Sequence, residues 1–166
     1  MPQVLTMVLL AVSLAGGQGA PSGQVYKNDT GTCQVTVPAD WKVTEFRAFD
    51  PADTLSAMVL HERDAKVEVL DPAMLKGIYG ADKVFENSAQ RLFVQSPTQA
   101  FGPIPASIKW ESLVPAATKG ACQVIIVFKN GGSEEVARAI VMSLRPAKKG
   151  LVVEGVMRSP TPPIRK

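Results

Sequence analysis

Reactive side chains are scarce in this 166-residue chain: one histidine, two cysteines and 6% aromatic residues. Two cysteines are too few for a disulfide-dense scaffold or a four-cysteine zinc module. With a single histidine there is no His-Glu-x-x-His metalloprotease motif, and Ala65 stands where the second histidine would be. No Gly-x-Ser-x-Gly elbow occurs, which removes one common setting for a serine nucleophile. Gly131-Gly132 precedes a helical pattern but completes neither Gly-x-Gly-x-x-Gly nor a Gly-Lys-Ser/Thr phosphate loop. Against these absences stands an ordinary soluble composition, 46% hydrophobic with a net charge of +3. That balance excludes a disordered chain, and the length suits one domain.

Residues 1–20 carry no charged side chain. Val4 to Ala15 is a mostly apolar stretch, broken only by Thr6 and Ser13. It falls short of the roughly 20 apolar residues that span a bilayer. Small residues follow at Gly16, Gly17, Gly19 and Ala20, with Gln18 the exception. An apolar core followed by small residues is the layout of a secretory signal peptide. The competing reading is an apolar N-terminal strand or helix of the domain. A cut near Gly17 to Ala20 is expected; Pro21 disfavours cleavage directly after Ala20. Neither cysteine lies near the cut, so no lipobox is available. The expected product is exported, to the periplasm or beyond, with a domain over 21–158 and a Pro-rich basic tail over 159–166.

Export gives Cys33 and Cys122 a meaning. In an oxidising compartment an even pair is most simply a disulfide. Cys33, Val35 and Val37 share one face of a strand pattern, as do Cys122, Val124, Ile126 and Phe128. A buried bridge between neighbouring strands is expected. Two free core thiols are the alternative. A redox pair lacks its usual Cys-x-x-Cys spacing.

Periodicity supplies the remaining elements. Strand patterns cover Val25-Tyr26, Thr32–Val37, Trp41–Phe49, Thr54–Glu62, Ser107–Val114, Ala121–Phe128 and Leu151–Met157. Asp71-Pro72 reads as a helix start and Gly80 as its stop. Val84, Phe85, Ala89, Leu92 and Phe93 fit helical spacing over Asp82–Gln95, with a strand pair as competitor. Ser96–Ala106 reads as a loop. Ser133 caps a helix with Glu134 and Glu135 in its first turn, an apolar stripe from Val136 to Leu144, Arg145 in its last turn and Pro146 as its stop. The order predicts an α+β fold with a mostly antiparallel sheet and helices packed on it.

Val37-Pro-Ala-Asp-Trp41 after an early strand, and Ile140-Val-Met-Ser-Leu-Arg-Pro146 closing a late helix, resemble PsbP-like and DcrB-like proteins over about Val25 to Pro146. That resemblance implies an α/β/α sandwich, frequent export, and an accessory, docking or envelope role without a catalytic set. The extra strand after the late helix and the two cysteines depart from the pattern. In physical terms Pro38 ends a strand without losing a backbone donor, and Trp41 packs a large ring under the turn.

His61, Glu62 and Asp64 are the only grouping that suggests a ligand set or general base. A zinc site usually takes three or four ligands, and on a strand His61 and Glu62 point to opposite faces. A solvated or core-edge histidine is the competing reading, and no metal or cofactor is expected.

Charge is uneven. Residues 1–135 hold 11 basic and 14 acidic side chains; residues 136–166 hold 7 basic and one acidic. Arg138, Arg145, Lys148, Lys149, Arg158, Arg165 and Lys166 make that end a candidate for contact with an anionic surface. Helix-end cations and a solvated tail explain the same charges. Nucleic acid is not an expected partner of an exported chain lacking interleaved exposed aromatics. The sequence thus points to an exported, non-enzymatic accessory or docking domain acting on an envelope protein. The alternatives are a small hydrolase or metal-dependent enzyme built on His61, Glu62 and Asp64, and a carrier of an apolar small molecule held between a helix pair and the sheet.

Overall fold

Residues 23–148 are described by a computed structural model. The signal-peptide reading, the expected strand over 151–157 and the tail over 159–166 fall outside them.

β1 (Gly23–Lys27) and β2 (Cys33–Pro38) form an antiparallel hairpin. Asn28 builds its turn: the buried side-chain oxygen accepts from the backbone N–H groups of Thr32 and Cys33, both at 2.9 Å. The other edge of β2 pairs with β10 (Arg145–Pro146), which completes a three-stranded sheet. A second antiparallel sheet has seven strands in the order β3 (Lys42–Val43), β4 (Ala48–Phe49), β5 (Leu55–Glu62), β9 (Ala121–Phe128), β8 (Ser107–Pro115), β7 (Leu92–Thr98), β6 (Lys83–Asn87). α1 (Pro72–Tyr79) starts at an Asp71 side chain accepting from Met74 N–H and ends at a left-handed Gly80. α2 (Glu134–Met142) starts at Ser133, whose hydroxyl accepts from Val136 N–H.

The two-residue period of the long sheet divides its apolar side chains between two layers. On one face Ala57, Val59, Phe93, Trp110, Val124 and Ile126 pack against Val35 and Val37 of β2 and Ala137, Ile140 and Val141 of α2. On the other, Leu92, Val94, Leu113 and Ala121 pack against Leu75 of α1 and the connection carrying Ala65, Val67 and Leu70. Each large side chain so buried contributes about 1.5–3 kcal/mol. The fold is α+β with antiparallel sheets, as the element order indicates.

Four expectations change. Residues 82–95 are not a helix but the β6–β7 hairpin. Both faces of β7 are buried, Leu92 and Val94 on one side and Phe93 on the other. The polar–apolar alternation that marks a half-buried strand is therefore missing. A register shift between Val84 and Glu86 leaves Phe85 stacked on Phe93, ring centroids 4.4 Å apart. β7 also runs on to Thr98, into the expected loop. Trp41–Phe49 is not one strand but the short β3–β4 hairpin, turned where Thr44 N–H donates to the Arg47 carbonyl. Finally, α2 stops at Met142, and Arg145 and Pro146 lie in β10 rather than in the helix. Leu144 still enters the core, and Ala147 N–H donates to the Thr32 carbonyl at 2.8 Å. Pro146 suits this edge strand because it has no N–H to leave unpaired.

Candidate functional site

Cys33 and Cys122 are bonded, with Cα atoms 5.5 Å apart. The bridge does not join paired neighbours in one sheet. It ties β2 of the small sheet to β9 of the large one, because inward-facing residues of two stacked sheets meet there.

His61 stands opposite Cys122 in the β5–β9 register. Its Nε2 lies 2.8 Å from the Lys119 carbonyl oxygen, and its Nδ1 lies 3.0 Å from the Thr32 hydroxyl. A carbonyl only accepts, so Nε2 carries a proton, while Nδ1 and the Thr32 hydroxyl form the second hydrogen bond. Both ring nitrogens are thereby engaged in linking β5 to β2 and to the β8–β9 loop. Gly120 lets that loop approach: its φ is +87°, and a Cβ there would sit 2.8 Å from Arg63 Cα. Glu62 follows on the opposite strand face, and Asp64 lies in the next turn, 3.4 Å from Lys119 Nζ with both side chains exposed. Among the described residues no group of three or more His, Cys, Asp or Glu side chains is placed to hold a metal ion.

Pro38 closes β2 opposite Gly23. Trp41 is 6% exposed in the main core, its N–H donating to the Pro38 carbonyl and its own carbonyl accepting from the Gln24 side chain at 2.6 Å. Both residues of this motif are therefore built into the structure. Of the basic end, Arg145 donates to the Ser143 carbonyl at 2.9 Å and Lys148 is exposed; Lys149, Arg158, Arg165 and Lys166 lie outside the described residues. Arg138 lies over the rings of Phe85, Phe93 and Trp110 at 5.1–5.7 Å.

Two features escape the sequence reading. One is a polar group on the α1 side of the large sheet. Glu111 is 6% exposed; it accepts from Gln123 Nε2 and lies 2.8 Å from Lys109 Nζ. Burial, with Glu111 nearby, raises the Tyr79 phenol above its usual value. The alternation of β8 and β9 indicates that Glu111 and Gln123 face the same way, but pairing across strands requires the register. The other is an apolar groove of about 400 Å³ between α2 and the β1–β2 hairpin, lined by Gly23, Val37, Pro38, Val136, Ala139 and Ile140. Gly23 permits it, since a Cβ there would meet Thr36 Cγ2 at 2.5 Å. The groove is not between a helix pair and the sheet, because the second helix of that expected pair is the β6–β7 hairpin.

No family model matches the chain, and no curated protein matches it. A crystal structure of a protein from Bacteroides thetaiotaomicron is similar, with a TM-score of 0.46 and 16% identity, covering 77% of this chain and 50% of that one. The chain spans about half the length of that protein.

Proposed function

We propose that this is an exported, non-enzymatic accessory domain of PsbP-like or DcrB-like type, with the corresponding α/β/α layering, that docks in the cell envelope by taking an apolar group into the groove between α2 and β1–β2. The observation that carries the proposal is the contrast between that groove and the polar candidates. His61 is saturated by Thr32 and Lys119. The groove is open and lined mainly by carbon, with Val37, Pro38, Val136 and Ala139 on its walls. The inter-sheet disulfide fits an oxidising compartment. Among the described residues no helix is long and apolar enough to cross a membrane.

A second reading, a carrier of an apolar small molecule, draws support from the groove's size. About 400 Å³ lies within the range of small-molecule sites. Contact of the basic end with an anionic surface is a further component of the proposal. It rests on the sequence, and deletion of residues 158–166 tests it by loss of retention on anionic vesicles.

Native mass spectrometry of the full chain recovered from its own compartment tests the main reading. Ala139→Trp fills the groove from the exposed side of α2. A bound partner or apolar molecule present on the wild type and absent from A139W is the expected result. Identical spectra, with or without bound mass, contradict it.

A further inference from the structure

The β7–β8 loop presents a second apolar feature, at the end of the sheet where β8 begins. Residues 99–106 read Gln-Ala-Phe-Gly-Pro-Ile-Pro-Ala, contain no charge, and are all exposed. Phe101 is 81% exposed and Ile104 61%, and Ile108 beside them is 45% exposed. The two tip residues are fixed in place rather than dangling. Phe101 N–H donates to the Ile104 carbonyl at 2.9 Å and Ile104 N–H donates to the Phe101 carbonyl at 3.0 Å, closing a tight turn with Gly102 at φ +55°. An apolar cleft of about 400 Å³ bounded by Ile104, Ile108, Val127 and Phe128 lies immediately behind. Phe101 does not line it and points outward instead.

We propose that this loop is a membrane-anchoring tip that inserts Phe101 and Ile104 into the interfacial region of a lipid bilayer. The backbone chemistry suits a shallow position in lipid, with the two apolar side chains inserted and the turn itself at the interface. Hydrocarbon offers no partner to an N–H or C=O group, so such groups must be satisfied internally. Within residues 101–104 the N–H and C=O groups of Phe101 and Ile104 satisfy one another and Pro103 has no N–H, which leaves Gly102 N–H and the Gly102 and Pro103 carbonyls to the water and headgroups of the interfacial region. Pro105 removes another donor from the flank. Size points the same way. A stable protein interface buries roughly 800 Å² per partner over about 20–30 residues, far more than a tip of two large side chains supplies. A shallow insertion requires no more than such a tip, and a turn already closed has little entropy to lose on binding. Among the described residues, Lys129, which lines that cleft, is paired with Asp53, and Lys109 on β8 is paired with Glu111. Attachment is therefore apolar and insensitive to salt, unlike attachment through a basic tail.

The test uses the full chain and phosphatidylcholine vesicles, with single tryptophan reporters at two exposed sites. Trp41 and Trp110 are buried and give a constant background. Phe101→Trp should shift to the blue on vesicles and be quenched by brominated lipid at low and high salt alike. Val69→Trp, at a site 66% exposed before α1, should do neither. F101S/I104S should lower vesicle partition by about tenfold or more while leaving the thermal transition unchanged. Equal quenching of the two reporters, or none in F101W, overturns the proposal whatever becomes of the α2 groove. So does a blue shift in F101W that grows with protein concentration in the absence of lipid, which assigns the tip to a second copy of the chain.

Discussion

His61 donates from Nε2 to the carbonyl oxygen of Lys119 across 2.8 Å, which places a proton on Nε2. The Thr32 hydroxyl then completes the ring's hydrogen bonding at Nδ1. A histidine so placed works as a clamp between β5, the small sheet and the β8–β9 loop. His61→Ala should cost about 1–2 kcal/mol of stability for the two bonds lost, read as a lower urea midpoint at unchanged slope. The metal content of the purified protein should be the same before and after the substitution. Stoichiometric zinc lost in H61A would favour the enzyme reading instead.

The Cys33–Cys122 bridge closes an 89-residue separation between two sheets. A loop of that length gives up to about 4–5 kcal/mol in the chain-entropy model. Reduction should therefore lower the unfolding free energy by about 2–4 kcal/mol, since native strain and residual denatured structure commonly reduce the ideal value. Urea titrations with and without reductant measure it. Two thiols alkylated in the unreduced protein from its native compartment would contradict the bridge.

Trp110 is 1% exposed and touches Phe85, Phe93 and Phe128 edge-on, with ring centroids 4.8–5.3 Å away. Trp110→Ala should cost about 3–5 kcal/mol through the cavity it leaves. Arg138, exposed on α2, lies over three of these rings, those of Phe85, Phe93 and Trp110. Arg138→Ala should cost only about 0.5–1 kcal/mol, the size of a solvent-exposed cation–π contact. Thermal unfolding of the two variants should keep that order.

The elements that read correctly from sequence are those with a one-sided signal. Leu55, Ala57 and Val59 alternate with more exposed neighbours and lie in β5; Asp71-Pro72 and Ser133 start the two helices where their side chains cap free N–H groups. The β6–β7 hairpin is hidden because Phe93 and Val94 are buried on opposite faces. The two cysteines are legible as inward-facing, but that they bridge sheets depends on the stacking of β2 over β5 and β9, which no local pattern encodes. The groove is illegible for the same reason, since its walls come from β1–β2 and from α2, far apart in the chain. His61 is legible as a lone histidine, whereas its saturation by a backbone carbonyl 58 residues away is not.

Asp50 holds the turn before β5. Its carboxylate accepts from Leu55 N–H at 2.7 Å, from the Thr54 hydroxyl at 2.7 Å and from Thr54 N–H at 2.6 Å. Partial burial by itself would raise its pKa, but these bonds together hold it below the usual carboxylate value. A lowered folded-state pKa contributes stability above the unfolded value near about 3.9, and that stability is lost as pH falls through the folded value. Asp50→Ala should therefore destabilise the protein at neutral pH, by about 1–2 kcal/mol after allowance for solvent screening. The gap between variant and wild type should close in acid. Urea midpoints at neutral pH and below pH ~3 give the comparison, and a gap that stays constant would contradict the assignment.

The groove between α2 and β1–β2 is the centre of the functional reading, and site-specific photo-crosslinking in the native envelope tests it most directly. A photoreactive residue replaces Ala139 on the groove wall in one chain and Met58 on the opposite sheet face in another. The expected result is one discrete adduct from position 139, a protein or an apolar molecule, and none from position 58. No adduct at 139, or the same adducts from both positions, would contradict the assignment of the groove as the docking site.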